Sequence, residues 1–111
     1  MKINKERESM LVVDYECSEA VNMNMSSYKG VIKTTYDKLV EIFGKPTYTD
    51  SDPYEKVNAE WSVEADTGED FVKFSIYNWK TGYIPTDEYD WHIGGFDSNA
   101  VDAAYELINA S

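Results

Sequence analysis

The chain has one cysteine, one histidine and three prolines in 111 residues, and no apolar run approaches the roughly 20 residues that a membrane-spanning helix needs. A lone Cys17 makes no internal disulfide. Its segment, Asp14 to Ala20, holds no lysine, arginine or histidine to lower the thiol pKa, so the cysteine reads as structural. The first ten residues lack the apolar stretch of a secretory signal, which makes the cytoplasm the expected location. Positive charge is scarce too, with 10 lysines and arginines against 21 aspartates and glutamates, a net charge of -11. Such a field repels DNA, RNA and anionic membranes. It attracts basic surfaces, so the partner it favours is a protein that itself handles nucleic acid.

Hydrophobic residues make up 42% and aromatics 14%, too much apolar surface for a disordered chain and enough for one core at this length. The acid is unevenly placed. From residue 45 onward there are 14 acidic residues against 4 lysines, while the first 44 residues carry 7 against 6 basic ones.

Hydrophobic periodicity predicts an α+β domain, an antiparallel sheet of about three to five strands with two helices packed on it. Tyr36, Leu39, Val40 and Phe43 form a helical stripe within residues 34–46, with Thr34 and Asp37 as a variant capping box, Gly44 at the end and Pro46 as a stop. Alternation at Val57, Ala59, Trp61, Val63 and Ala65 predicts a strand. A turn at residues 66–69 and a second strand over residues 71–79 complete a hairpin. In that second strand Val72, Phe74 and Ile76 point to the core, and Phe71, Lys73, Ser75, Tyr77 and Trp79 point away from it. A third strand is expected over residues 89–93, stopped by Gly94-Gly95, and a last helix capped by Asp97 or Ser98 with Val101, Ala104, Tyr105 and Ile108 on its stripe and Ala100 and Leu107 widening it. Residues 28–33 suggest a short strand. The expected organisation is a core domain over residues 28–111, with residues 1–27 as an extension or an extra element of the same domain.

The inventory for catalysis is thin. His92 lies near Asp87, Glu88 and Asp90, but one histidine with loop carboxylates is far short of a zinc signature, and it reads as a rim histidine bonded to a neighbour. No catalytic residue, metal site or cofactor is expected. Two binding arrangements stand out. Outward residues of a strand recur about every 6.6 Å, so Glu60 and Glu64, with Asp66, Glu69 and Asp70 around the turn and Asp50, Asp52 and Glu55 before it, can form a carboxylate ridge for a groove of lysine and arginine. Alternatively Tyr77, Trp79, Lys80, Trp91 and His92 can line a cationic-aromatic pocket for a nucleotide base and phosphate.

The segments Tyr28-Lys29-Gly30, Thr34-Thr35-Tyr36, FGKP (residues 43–46), AEW (59–61), IYNWKTG (76–82) and WHIGG (91–95) together resemble a family of small, functionally uncharacterised proteins of tailed phages and prophages. That resemblance covers residue 28 to the C-terminus and implies a phage-encoded protein acting inside an infected bacterium, with no catalytic residues to carry over. A helix ending in Phe-Gly-x-Pro before a tryptophan-bearing hairpin is also similar in layout to β-lactamase inhibitory proteins and small outer-membrane assembly lipoproteins. The leading expectation is an acidic, non-enzymatic inhibitor that docks on a basic host protein, a nucleic-acid enzyme or defence component, by mimicking nucleic-acid charge. A nucleotide-sequestering protein and a minor virion or assembly component are the alternatives.

Overall fold

A computed structural model describes residues 12–110. Residues 1–11 of the expected extension over residues 1–27 lie outside the described residues. Among these residues the chain is α+β, with six antiparallel strands and two helices, more strands than the periodicity predicts. In chain order they are β1 (Asp14–Cys17), β2 (Ser27–Thr34), α1 (Tyr36–Phe43), β3 (Tyr48–Thr49), β4 (Ala59–Asp66), β5 (Phe71–Tyr77), β6 (Tyr89–Gly95) and α2 (Asn99–Asn109). The sheet runs β1-β4-β5-β6-β2, and the two-residue β3 pairs with the other end of the β4 edge that β1 occupies. The additional strands are short edge segments of two and four residues, too brief to show a period.

Both helices lie on one face. Phe43 and Phe74 approach edge to face at 6.2 Å between ring centroids, Tyr36 meets Trp61 at 5.6 Å, and Trp61 Nε1 donates to the Gly44 carbonyl at 2.9 Å. Trp61, Val63, Phe74, Ile76, Trp91 and Ile93 are fully buried beneath them.

Helix α1 begins one residue later than the capping-box reading placed it. Thr35, in extended conformation, accepts from Lys38 N at 3.1 Å, while Thr34 is still the last residue of β2. Gly44 takes φ +85°, the left-handed region where a Cβ is strained, and ends the helix as expected.

Gly94-Gly95 does not stop β6 but continues it. A Cβ on Gly95 would lie 2.3 Å from the Ala100 Cβ, so the glycine is where α2 rests on the sheet. The buried stripe of α2 is Ala100, Ala103, Ala104 and Ile108: Ala100, Ala104 and Ile108 belong to the expected stripe, Ala103 joins them, and Val101 and Leu107 are half-buried beside it. Tyr105 sits at its edge, its hydroxyl donating to the Val31 carbonyl at 2.8 Å. Neither expected side-chain cap forms: Ser98 makes no capping bond, and Asp97 acts through its carbonyl, which accepts from Ala100 N.

No helix among the described residues is long and apolar enough to cross a membrane.

Candidate functional site

The face of the sheet away from the helices carries the exposed chemistry, and strand register sorts it into rows. One row runs Tyr48, Glu60, Tyr77, His92 and Val31 across β3, β4, β5, β6 and β2. The next is made of small residues on three strands, Ser62, Ser75 and Gly94, ending at Tyr28. Beyond it come Glu16, Glu64 and Lys73, then Asp14, Asp66 and Phe71. The result is a face with an aromatic end, a low middle and an acidic end.

Residues 18–26 cross this face from β1 at one edge to β2 at the other. Ser18 N donates to the Ser62 carbonyl at 3.2 Å, Lys73 Nζ to the Asn22 carbonyl at 3.3 Å, and Val21 is buried outside the main core cluster. The row of small side chains leaves room for that crossing.

At the acidic end, Asp14 faces Asp66 and Glu16 faces Glu64 in consecutive opposed pairs. Like charges directly opposite on neighbouring strands destabilise a sheet, by a few tenths to about 1 kcal/mol per pair. Asp14 and Glu16 come from the part of the chain whose charge is nearly balanced, and strand pairing alone brings them to the hairpin.

Among the expected ridge residues, Glu64, Asp66, Glu69 and Asp70 are together around the hairpin, but two of them also shape its turn. Asp66 Oδ1 accepts from Gly68 N at 2.8 Å and Asp70 Oδ1 from Phe71 N at 2.8 Å. Asp50 and Asp52 sit in the loop after β3 and likewise serve its backbone, accepting from Asp52 N and Tyr54 N, each at 2.9 Å. Glu55 follows in the same loop. Glu60 belongs to the aromatic end, two residues before Ser62 on the same face. Its carboxyl pKa is raised, chiefly by burial, against a hydrogen bond from Ser75 that lowers it.

The pocket residues divide between the two faces. Trp91, expected in the pocket, is fully buried on the helix side, its ring 5.5 Å from Trp61 and 5.3 Å from Tyr89. Strand alternation puts it opposite His92, so it completes the core.

Tyr77, Trp79, Lys80 and His92 do come together, joined by Tyr28 and Lys56. His92 lies 5.2 Å from Tyr28, 5.5 Å from Tyr77 and 6.2 Å from Trp79 between ring centroids. Burial lowers the His92 pKa against an opposing contribution from Asp90, so the ring stacks neutral at pH 7. Its Nδ1 is buried without a hydrogen-bond partner. Lys56 and Lys80 place their ammonium groups 5.9 and 5.8 Å from the Trp79 ring centroid.

A recess of about 200 Å³ opens beside these rings, with Glu60, Ser75, Tyr77, Trp79, Ser27 and Gly94 among its walls. Gly94 is its floor, because a Cβ there would lie 2.7 Å from Ser75 Oγ and 3.3 Å from a Tyr77 ring carbon. A wider recess of about 810 Å³ separates residues 49–51 from 82–84, with Asp50 as the only ionisable carboxylate in its lining.

The loop bearing Trp79 and Lys80 is held from below by a network that periodicity gives no sign of. Asn78 Oδ1 accepts from Asn58 N and Ala59 N at 2.8 and 2.9 Å, and Asn78 Nδ2 donates to Asn58 Oδ1, Thr81 Oγ1 and the Tyr83 carbonyl. Asn58 Nδ2 in turn donates to the carbonyls of Asp50 and Asp52. Above this network Lys80 adopts φ +58°, a left-handed conformation that costs a non-glycine residue about 1 kcal/mol or more, and its N–H donates to the Lys56 carbonyl at 2.7 Å.

No group of three or more histidine, cysteine, aspartate or glutamate side chains among the described residues is placed to hold a metal ion. The Cys17 thiol is pushed up to about 11 by burial. No family model, curated protein or solved structure matches the chain.

Proposed function

We propose that the protein acts by binding, and that the acidic end of its open sheet face docks on a lysine- and arginine-rich surface of a partner protein. The observation that carries this reading is the pair of opposed carboxylates, Asp14 with Asp66 and Glu16 with Glu64, on an exposed face. Asp66 also shapes the turn and Glu64 also faces Lys73, but each opposed pair repels in the free chain, and a basic partner converts that repulsion into attraction. Glu69 and Asp70 extend the same surface around the turn. In the setting that the phage resemblance implies, the partner is a host nucleic-acid enzyme or defence protein, and the carboxylates take the place of phosphates in its groove.

The test is affinity capture from bacterial lysate, followed by elution with salt. A basic protein that binds at about 0.1 M salt and is released towards about 1 M, where the screening length falls to about 3 Å, supports the reading. A Glu16→Gln, Glu64→Gln, Glu69→Gln variant keeps the turn-capping aspartates and sets no lysine opposite Lys73, and its unfolding midpoint is compared with that of the wild type to check that the fold is kept. Undiminished capture by that variant, with unchanged salt dependence, would falsify the assignment of the surface.

A further inference from the structure

The aromatic end of the same face is a second site, independent of the acidic one, and its chemistry is different. We infer that it binds a purine mononucleotide, with guanine preferred. Three features converge on the recess. Trp79 is partly exposed, at 39%, and offers a ring face on which a planar ring stacks, with Tyr77 set edge-on to it at 73° and His92 tilted beside it at 39°. Lys56 and Lys80 are tied to each other by a backbone hydrogen bond and bring two ammonium groups to the indole, within a side-chain rotation of a phosphate on a ring stacked there. Glu60 faces Tyr77 across the strands in the recess wall and accepts from Ser75; ionised, it is an acceptor only, and the lone pairs beyond that one bond are open to N–H donors from a ligand. The Watson–Crick edge of guanine supplies two adjacent donors, an imino and an amino group. Adenine presents an acceptor at the corresponding ring nitrogen.

The site is also built in advance. Gly94 keeps the floor open, the asparagine pair fixes the loop beneath Trp79, and Lys80 is held in a left-handed conformation that its own side chain does not favour. Size and charge set the upper limit on the ligand. A recess of about 200 Å³ takes a base rather than a larger drug-sized molecule, and a net charge of -11 repels a polynucleotide while two lysines match one phosphate group.

Tryptophan fluorescence reads this site selectively, since Trp61 and Trp91 are fully buried and Trp79 is not. Titration with GMP is expected to quench Trp79 saturably. AMP and guanosine should bind about tenfold more weakly or worse, the first for want of donors to Glu60 and the second for want of a phosphate. Inorganic phosphate alone should not quench. Glu60→Gln is expected to erase the preference for GMP over AMP, and Lys56→Ala with Lys80→Ala the preference for GMP over guanosine. By calorimetry, Trp79→Ala should lose GMP binding while keeping wild-type unfolding. The proposal is overturned if GMP gives no saturation at millimolar concentration or if Trp79→Ala binds it unchanged. Quenching by tetramethylammonium and not by GMP would also overturn it, because the rings would then form a cage for a cation.

Discussion

Trp61 and Trp91 meet edge to face, ring centroids 5.5 Å apart at 75°, and both are fully buried, yet only Trp61 has a partner for its indole N–H. Trp61 Nε1 bonds the carbonyl that ends α1, whereas Trp91 Nε1 is buried with none. The two rings contribute similar apolar burial but differ in hydrogen bonding, and substitution separates the two. Trp61→Phe should cost about 2–4 kcal/mol, from a cavity, a lost bond and an orphaned Gly44 carbonyl. Trp91→Phe should cost at least about 1 kcal/mol less, because it removes an unpaired donor. Denaturant unfolding of both variants checks the order.

Asn78 satisfies two buried backbone donors and the Asn58 side chain at once. Asn78→Ala leaves the two backbone donors and the Asn58 Oδ1 without this partner, though Asn58 Nδ2 keeps the Asp50 and Asp52 carbonyls, and should destabilise the domain by about 3 kcal/mol or more. Asn78→Asp keeps the acceptor for Asn58 N and Ala59 N but sets a buried carboxylate oxygen against the Asn58 Oδ1 and the Tyr83 carbonyl, so at about pH 7 it should be at least as destabilising as Asn78→Ala and recover towards acid pH as the carboxylate is protonated. Trp79 emission should shift to the red in both, since this network anchors its loop.

Much of the fold can be read from the sequence where side chains repeat long enough to show a period. Alternation in β4 and β5 identifies the core set Trp61, Val63, Phe74 and Ile76, and a stripe with a terminal glycine identifies α1. Short edge strands escape that logic: β3 has two residues, and β1 shows an alternation of acids and others that reads equally well as loop. Gly94-Gly95 misleads because a glycine pair ordinarily breaks a strand. Here Gly95 admits α2 and Gly94 clears a recess, and both reasons lie on other elements. The site was legible residue by residue but not as an assembly. Tyr77, Trp79, Lys80 and His92 belong together, while Tyr28, Asp14 and Glu16 join only through pairings of distant strands, Lys56 joins through the bond its carbonyl accepts from Lys80 N, and Trp91 leaves by the alternation that keeps His92.

Glu60 should make stability depend on pH. Its folded pKa is raised above the ordinary 4.5, so the folded chain holds that proton more tightly than the unfolded one. The stabilisation is complete below pH 4.5 and is lost as the pH rises through the folded value. Glu60→Gln should therefore be more stable than the wild type at about pH 7 and lose that advantage by about pH 4. His92 works in the opposite sense: its lowered pKa removes stability as the pH falls below 6.5. Because both proteins carry His92, the difference in their denaturation midpoints across pH isolates Glu60.

The most direct test of the central claim, that the acidic end of the sheet serves a partner at the expense of the free chain, is the unfolding free energy of Glu16→Lys. This change sets a lysine opposite Glu64 and turns a repulsive cross-strand pair into an attractive one. The variant should be more stable than the wild type by a few tenths to about 1 kcal/mol at low salt, with most of the gain screened at about 1 M. A variant that is equally or less stable at low salt would contradict the claim, because the carboxylates would then be in place for the fold and not for a partner.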